Sequence, residues 1–402
     1  MTKSRLSNKI IQTLDDTCHV WRRELRRMLH DEGVVIFVII VPLLYPLLYS
    51  WIYTNEVVRE VPVAVVDNSH SQKSRHFIRD IDATPDVRIA YHCADMTEAE
   101  ELIARQEVKG ILYFPQDFST KMHRGEQAHV GVYCDMSLML TYKAIYMSAL
   151  AVSTSMNTEL QVAQAGGVTD QDDELVTDPI LIDEVSLYNN TGGYGNFLIP
   201  AVLILIIQQT LMLGVGLSAG TAREQHDNKL LIPFEEHYNA TLPIVLGKAL
   251  CYLMLYAVLG TYLLLVVPRL FGFTSLLSAE TLFGFLLPYV LACVFFSMSL
   301  SSLVRYRESV FLLVVFTSVP FLFLSGASWP KECIPPFWES ISCLFPSTFG
   351  VRGFLRLNGM GATIRDISIE YFALWGQAVF YFILTFFQYR YQLKLARKPS
   401  DP

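Results

Sequence analysis

Charge is scarce in this sequence. Only 17% of its 402 residues are Asp, Glu, Lys or Arg, where a soluble domain carries about a quarter. Mean hydropathy is +0.35. The shortage is uneven: blocks near the N-terminus and beyond about residue 195 are almost free of charge, whereas 55–190 has an ordinary soluble composition. One large soluble core is thereby excluded, and a membrane protein with one soluble insert is predicted.

Other absences narrow the function. There is no G-x-x-x-x-G-K-[ST] loop, so the chain is not expected to hydrolyse ATP; the Leu-Gly-Lys-Ala run at 246–249 lacks both the upstream glycine and the hydroxyl residue. No C-x-x-C or His/Cys spacing suggests a metal site. The apolar runs contain no Asp or Glu, the groups that couple ion flow to transport in a carrier. No short, Gly/Pro-broken runs occur in matching halves. No His, Asp or Glu pairs gather at the ends of the runs, so no catalytic residue is assigned. Asp67, Ser69 and His70 are neighbours after a strand, which suits a helix cap better than a triad drawn from separate elements. No nucleic-acid partner and no cofactor within this chain are expected.

What is present is six runs long enough to cross about 30 Å of hydrocarbon, which takes about 20 helical residues. They cover 34–53, 197–217, 249–267, 282–304, 310–327 and 371–389. The apolar part of the first is too long for a cleaved signal, follows a polar stretch and has no small-x-small site after it, so it is expected to remain as an anchor. Orientation follows from Lys and Arg. Arg22, Arg23, Arg26 and Arg27 precede the first run, Arg305 and Arg307 lie between the fourth and fifth, and Arg390 and Lys394 follow the sixth. All three sites are expected on the cytoplasmic side, with both termini inside and the acidic insert outside.

Residues 10–30 place Ile11, Leu14, Cys18, Trp21, Leu25 and Met28 on one helix face flanked by arginines, the pattern of a helix lying in the membrane interface. Packing of that face on another protein explains the same pattern. Tyr45, Tyr49 and Tyr53 recur at steps of four in the first run. They form either an aromatic stripe toward neighbouring helices or a hydroxyl-lined face toward a substrate path.

The insert alternates strands at 61–67, 87–92, 110–115 and 129–135 with helices, one of them with a capping box at Thr97 and Glu100. It is expected to be an α/β domain with a partly parallel sheet. Between the fifth and sixth runs, a Pro-rich aromatic segment suggests short helices that dip into the outer leaflet or pack across the spans. Of the seven cysteines, Cys333 and Cys343 are close in sequence and form the candidate disulfide, while Cys93 and Cys134 each follow a strand and pair only if those strands are close.

The segment 221–248 is charged, of mixed sign, and lies between two apolar runs. Its order of Glu224, Leu230, Leu231, Pro233, Gly247 and Lys248 resembles the first intracellular loop of ABC-2 type permeases, although His226, Asp227 and Asn228 stand where that family usually has a Gly-Thr pair. The amphipathic first helix agrees with this, as do the six runs and the Ser325-Gly326, Pro335-Pro336 and Pro346 pattern. A large external domain after the first run resembles the exporter subgroup.

The resemblance implies a permease that dimerises, with an identical or a related chain, and binds a separate ATPase carrying ATP and Mg²⁺. Arg22, Arg26, Glu224, Leu230, Leu231, Pro233 and Lys248 would form the coupling surface. Gln208 and Gln209, with Phe316 and Phe321, would line the path, joined by Tyr45 and Tyr49. The expected organisation is an interface helix at 1–32, a first span at 33–54, an extracytoplasmic α/β domain at 55–194, and five further spans at 195–389. A coupling loop at 220–248 and an external re-entrant segment at 328–368 lie within the last part, and a tail covers 390–402. The expected setting is a bacterial inner membrane, with a periplasmic adaptor or an exit gate as roles open to the insert. The rival reading is a membrane receptor or scaffold whose external domain binds a ligand.

Overall fold

In the computed structural model, residues 2–54, 57–165, 188–189, 193–225 and 240–396 are described. The chain divides into two compact units, one formed by Met1–Glu56 with Leu187–Pro402 and the other by Val57–Ser186.

The first unit opens with helix α1 (Thr2–His30). Asp31 ends it by taking an extended backbone and accepting hydrogen bonds from the Gly33 and Val34 amides, which caps α2 (Glu32–Ile52). Four more long helices follow: α7 (Tyr194–Glu224), α8 (Thr241–Leu270), α9 (Ala279–Ser301) and α10 (Arg307–Leu324). Two short ones, α11 (Pro336–Ser342) and α12 (Pro346–Met360), precede α13 (Ser368–Ala396). Six of these helices are long and apolar enough to cross a membrane, and each coincides with one of the six apolar runs.

Two of them contain a widened π turn, Ile36–Ile40 in α2 and Tyr262–Val266 in α8. Pro42 and Pro268 stand just beyond these turns. A proline ring collides with the carbonyl four residues back, and a wide turn gives it room.

Helix α7 is the axis of the bundle. The apolar window of α7 is 89% buried, against 17% for α10 and 22% for α13. A lipid-facing helix has no reason to bury its apolar surface, so the outer helices stay exposed within a single chain. At one end of the bundle α12 packs beside α7, α9 and α13. Asn358 joins it to the α8–α9 connection, accepting from Ser275 Oγ at 2.8 Å through its side chain and from the Leu276 amide at 2.9 Å through its carbonyl. The segment 328–368 therefore holds two short helices and a 3₁₀ turn at Lys331–Cys333.

The second unit is a four-stranded sheet in the order β2-β1-β3-β4, from β1 (Val61–Asp67), β2 (Val87–Cys93), β3 (Gly110–Phe114) and β4 (Gly131–Cys134). The first three are parallel and β4 is antiparallel. Helices α3 (Gln72–Asp82) and α4 (Met96–Ala104) make the crossovers, and α5 (Phe118–His123) and α6 (Met139–Ala165) complete the unit. Central strand β1 reads Val-Pro-Val-Ala-Val-Val because both its faces are covered. Val63 and Val65 join one core with Phe77, Phe114 and Ile145, while Ala64 and Val66 join another with Ala99 and Ile111.

Three expectations are decided here, and the capping box at Thr97 and Glu100 is the one that needs correction. Cys93 and Cys134 lie on opposite edges of the sheet, with two strands between them. That separation is roughly 14 Å at 4.8 Å per strand, far beyond disulfide reach. The cap of α4 is Asp95 with Glu98, not Thr97 with Glu100: Asp95 accepts from the Glu98 amide, and Glu98 reaches back to the Ala94 amide. The Asp67 cluster is a cap, with Ser71 and Ser74 forming a capping box and Asp67 accepting from the Ser69 and His70 amides and from Ser74 Oγ.

Candidate functional site

Helix α1 presents two faces. Val20, Glu24 and Met28, four residues apart, are buried against the bundle. Ile11, Leu14 and Cys18, on the other side, are exposed, at 61% for Ile11 and 59% for Leu14. The face that packs is thus not the continuous apolar stripe read from the sequence, of which only Trp21, Leu25 and Met28 turn inward. The remaining stripe is free for an interfacial environment, and Arg22 and Arg26 are exposed beside it.

Glu24 is the polar centre of the packed face and is only 4% exposed. Its Oε1 accepts from Ser218 Oγ of α7 at 2.9 Å and from Tyr252 Oη of α8 at 3.2 Å. Its Oε2 lies 3.4 Å from Lys248 Nζ of α8. Lys248 Nζ also stands 5.9 Å from the centre of the Tyr389 ring of α13. Burial alone would raise the Glu24 carboxyl pKa. The charges of Lys248 and Arg27, with the two hydroxyl donors, reverse that and hold it below the usual carboxylate range. At Gly247, next to Lys248, α1 packs tightly on α8: a Cβ there would sit 2.8 Å from the Thr17 carbonyl oxygen and 2.8 Å from Val20 Cβ.

A second joint lies one turn on. Arg307, at the start of α10, places Nη2 2.6 Å from Asp31 Oδ1 and Nη1 3.3 Å from Thr221 Oγ1 of α7. Thr221 Oγ1 donates to Asp31 Oδ2 at 2.9 Å. Burial pushes the Asp31 carboxyl pKa up, but hydrogen bonds from Thr221, Val34 and Arg307 and the Arg307 charge bring it below its ordinary value. Gly220 lets the backbones close, since a Cβ on it would sit 2.8 Å from Arg307 Cα.

Arg223 and Glu224, the last residues of α7, hold the α9–α10 connection. The Arg223 guanidinium donates to the carbonyls of Ser302, which caps the end of α9, and of Val304 in the connection beyond it. Glu224 Oε1 accepts from the Arg307 amide at 3.1 Å, satisfying a first-turn donor of α10. Glu224 is therefore engaged within the chain.

Of the coupling residues read from the sequence, the structure brings Glu224 and Lys248 to the same end of the bundle as α1, with Arg22 and Arg26 exposed there. Leu230, Leu231 and Pro233 lie outside the described residues. The connection proper is shorter than 220–248, because α7 continues through Glu224 and α8 starts at Thr241. Lys248, which stands just before the third apolar run read from the sequence, is instead two turns inside α8 and buried.

The path residues separate. Gln208 is fully buried. Its Oε1 accepts from the Ser347 amide at 2.6 Å, capping the start of α12, and from Cys293 Sγ at 3.8 Å. The Gln209 amide makes no hydrogen bond among the described residues. Tyr45 and Tyr49 lie side by side along α2 with ring centres 5.8 Å apart and planes tilted by 31°. Phe316 is 75% exposed, whereas Phe321 is buried against Phe345 at 4.5 Å between ring centres. Phe316 and Phe321 thus face apart. Cys333 and Cys343 are both exposed free thiols.

Sequence reasoning missed Glu24, Asp31 and Arg307 as partners. One signal was available: Lys248 interrupts an otherwise apolar run and demands a counter-charge. Glu24 also sits between Val20 and Met28 on one face, amid four arginines.

A bundle of six spanning helices, with its first amphipathic helix fastened to the end where two spans are linked by a charged connection, is the architecture of a transporter membrane subunit. The chain belongs to the ABC-2 family of transporter proteins, whose profile matches residues 33–387. Over 351 residues it is 22% identical to "Probable multidrug ABC transporter permease YbhR" of Escherichia coli strain K12, covering 87% of this chain and 90% of the relative. The permease of the same name from Escherichia coli O157:H7 matches to the same extent.

Proposed function

We propose that this chain is the membrane subunit of an ATP-driven exporter, working as a dimer with a separate ATPase that carries ATP and Mg²⁺. In this reading the membrane is a bacterial inner membrane, both termini are cytoplasmic, and the α/β unit at 55–194 is outside. The observation that carries it is the double fastening of α1, through Glu24 to α7 and α8 and through Asp31 to α7 and α10. A push on α1 or on the neighbouring α7–α8 connection then reaches three spans at once.

Arg22 and Arg26 supply exposed charge for docking, and Leu230, Leu231 and Pro233 supply its apolar part. Lys248 and Glu224 act from inside, by holding α1 and the start of α10 in place. Gln208 and Gln209 on α7, the Tyr45–Tyr49 stripe, and Phe316 and Phe321 are the proposed contributors to the path. An adaptor docking on the α/β unit belongs to the same proposal.

The test is copurification in mild detergent. A stoichiometric P-loop ATPase with the native chain, lost in Arg22→Glu/Arg26→Glu while membrane insertion persists, supports the reading. An ATPase-free preparation that still transports overturns it, and one that binds an external ligand but moves no solute favours the receptor reading.

A further inference from the structure

The α/β unit contains a cavity of about 500 Å³ that the transport reading does not use. Helices α5 and α6 stand apart over the same face of the sheet and leave a gap. Phe77, Phe118 and Met156 form its floor, each at most 4% exposed, so the gap reaches the domain core. A volume in the range of drug-sized sites, with an apolar floor and a few polar groups, is the usual form of a small-molecule pocket.

Its polar groups are ordered. Ser153, Asn157 and Gln161 are at steps of four on α6 and line one wall. Thr154 and Thr158, the next residue in two of these cases, bond back to their own helix carbonyls. Ser153, Asn157 and Gln161 make no such side-chain bond among the described residues, so their donors and acceptors remain free for a ligand.

The charge in the lining has one sign. Among the described residues, Glu126 is its sole carboxylate, and no Lys, Arg or His lines the cavity. Glu126 forms no ion pair among the described residues. It sits in the connection that leaves α5 through Gly125, whose φ of +70° is a left-handed turn, and that connection forms the cavity's mouth.

The geometry points to a binding site in the α/β unit for an amphipathic small molecule. An apolar, preferably aromatic body would lie on Phe77, Phe118 and Met156. A neutral or singly cationic head would lie between Glu126 and the Ser153–Asn157–Gln161 row, and anions of the same shape would be disfavoured. The site is independent of the path within the bundle.

Tetraphenylphosphonium and tetraphenylborate, ions of nearly equal shape and opposite charge, are suitable probes. The full-length protein in lipid nanodiscs, labelled with methyl-¹³C methionine, reports the location, because Met122 and Met156 both line the cavity. Saturable shifts of these two resonances are expected with the phosphonium, at an affinity at least about tenfold above that for the borate. Ser153→Trp and Ala149→Trp, which fill the cavity from rim and floor, are expected to abolish the shifts while the other methionine signals keep their positions. Glu126→Gln is expected to narrow the cation preference about fivefold or more. Shifts confined to methionines outside the α/β unit, or equal responses to both ions, would overturn the proposal. So would Met122 and Met156 shifts that survive Ser153→Trp.

Discussion

Lys248 Nζ lies 3.4 Å from Glu24 Oε2, and the two side chains are 6% and 4% exposed. This ion pair joins α1 to α8, two helices far apart in sequence. Removing one partner leaves the other charge buried alone, which costs about 3–5 kcal/mol, whereas removing both is often near neutral. Glu24→Gln is therefore expected to lower thermal stability sharply, and Lys248→Met likewise. The double variant is expected to recover most of the loss. A double-variant melting temperature equal to the sum of the single losses would contradict the pairing.

The contact at Gly247 is steric, not electrostatic. Gly247→Ala forces the Thr17 carbonyl and Val20 to move, and overpacking of this kind costs about 1–3 kcal/mol. The expected readout is faster labelling of a cysteine introduced at Thr17, which is half-buried, without loss of membrane insertion. Unchanged labelling would mean that α1 does not rest on Gly247.

Arg307→Lys tests the second joint. Lysine keeps the charge but not the planar fork that meets Asp31 and Thr221 together. Its expected effect is a loss of about 1–2 kcal/mol, with hydrogen exchange rising at the Gly33 and Val34 amides. Arginine and lysine behaving alike would reduce the joint to simple charge attraction.

Acid should loosen both joints. Glu24 and Asp31 have carboxyl pKa values below their ordinary ones. Their stabilisation is therefore present above the unfolded carboxylate values, about 4, and is lost as pH falls through the lower folded values. Labelling of a cysteine at position 17 with a dipyridyl disulfide, which reacts with thiols in acid, is expected to stay slow at pH 7 and to accelerate, relative to an unfolded control, only below about pH 4. Acceleration near pH 6 would implicate a different group.

Gln208→Leu should leave the Ser347 amide unpaired at the start of α12. A buried donor without a partner costs about 1–3 kcal/mol. The expected result is a lower melting temperature, with Gln208→Glu, which still accepts, retaining more stability than Gln208→Leu.

The six spans were legible because each is a long uncharged run, and neither turn chemistry nor long-range pairing is needed to see it. The α/β alternation was legible for a related reason: β1 is apolar on both faces. Helix α1 was read correctly as amphipathic, but the face that packs is set by partners far away in sequence. Ser218, Lys248 and Tyr252 convert Glu24 from a surface charge to a buried one, and no local periodicity marks that. The span ends were misplaced at Lys248 for the same reason, since a paired lysine can lie inside an apolar helix. Strand order was invisible too, so the fate of Cys93 and Cys134 had to wait for the sheet.

Arg223 and Glu224 carry a consequence of their own. A helix ends with a partial negative charge at its carbonyls and begins with a partial positive charge at its amides. Arg223 meets the end of α9, and Glu224 meets the beginning of α10. Two adjacent residues thus spell out the polarity of the neighbouring turn, cation to its outgoing helix and anion to its incoming one. Exchanging them would leave composition and net charge untouched, yet set each side chain against a like pole. The order of the two residues, and not only their presence, matches the polarity of the neighbouring turn.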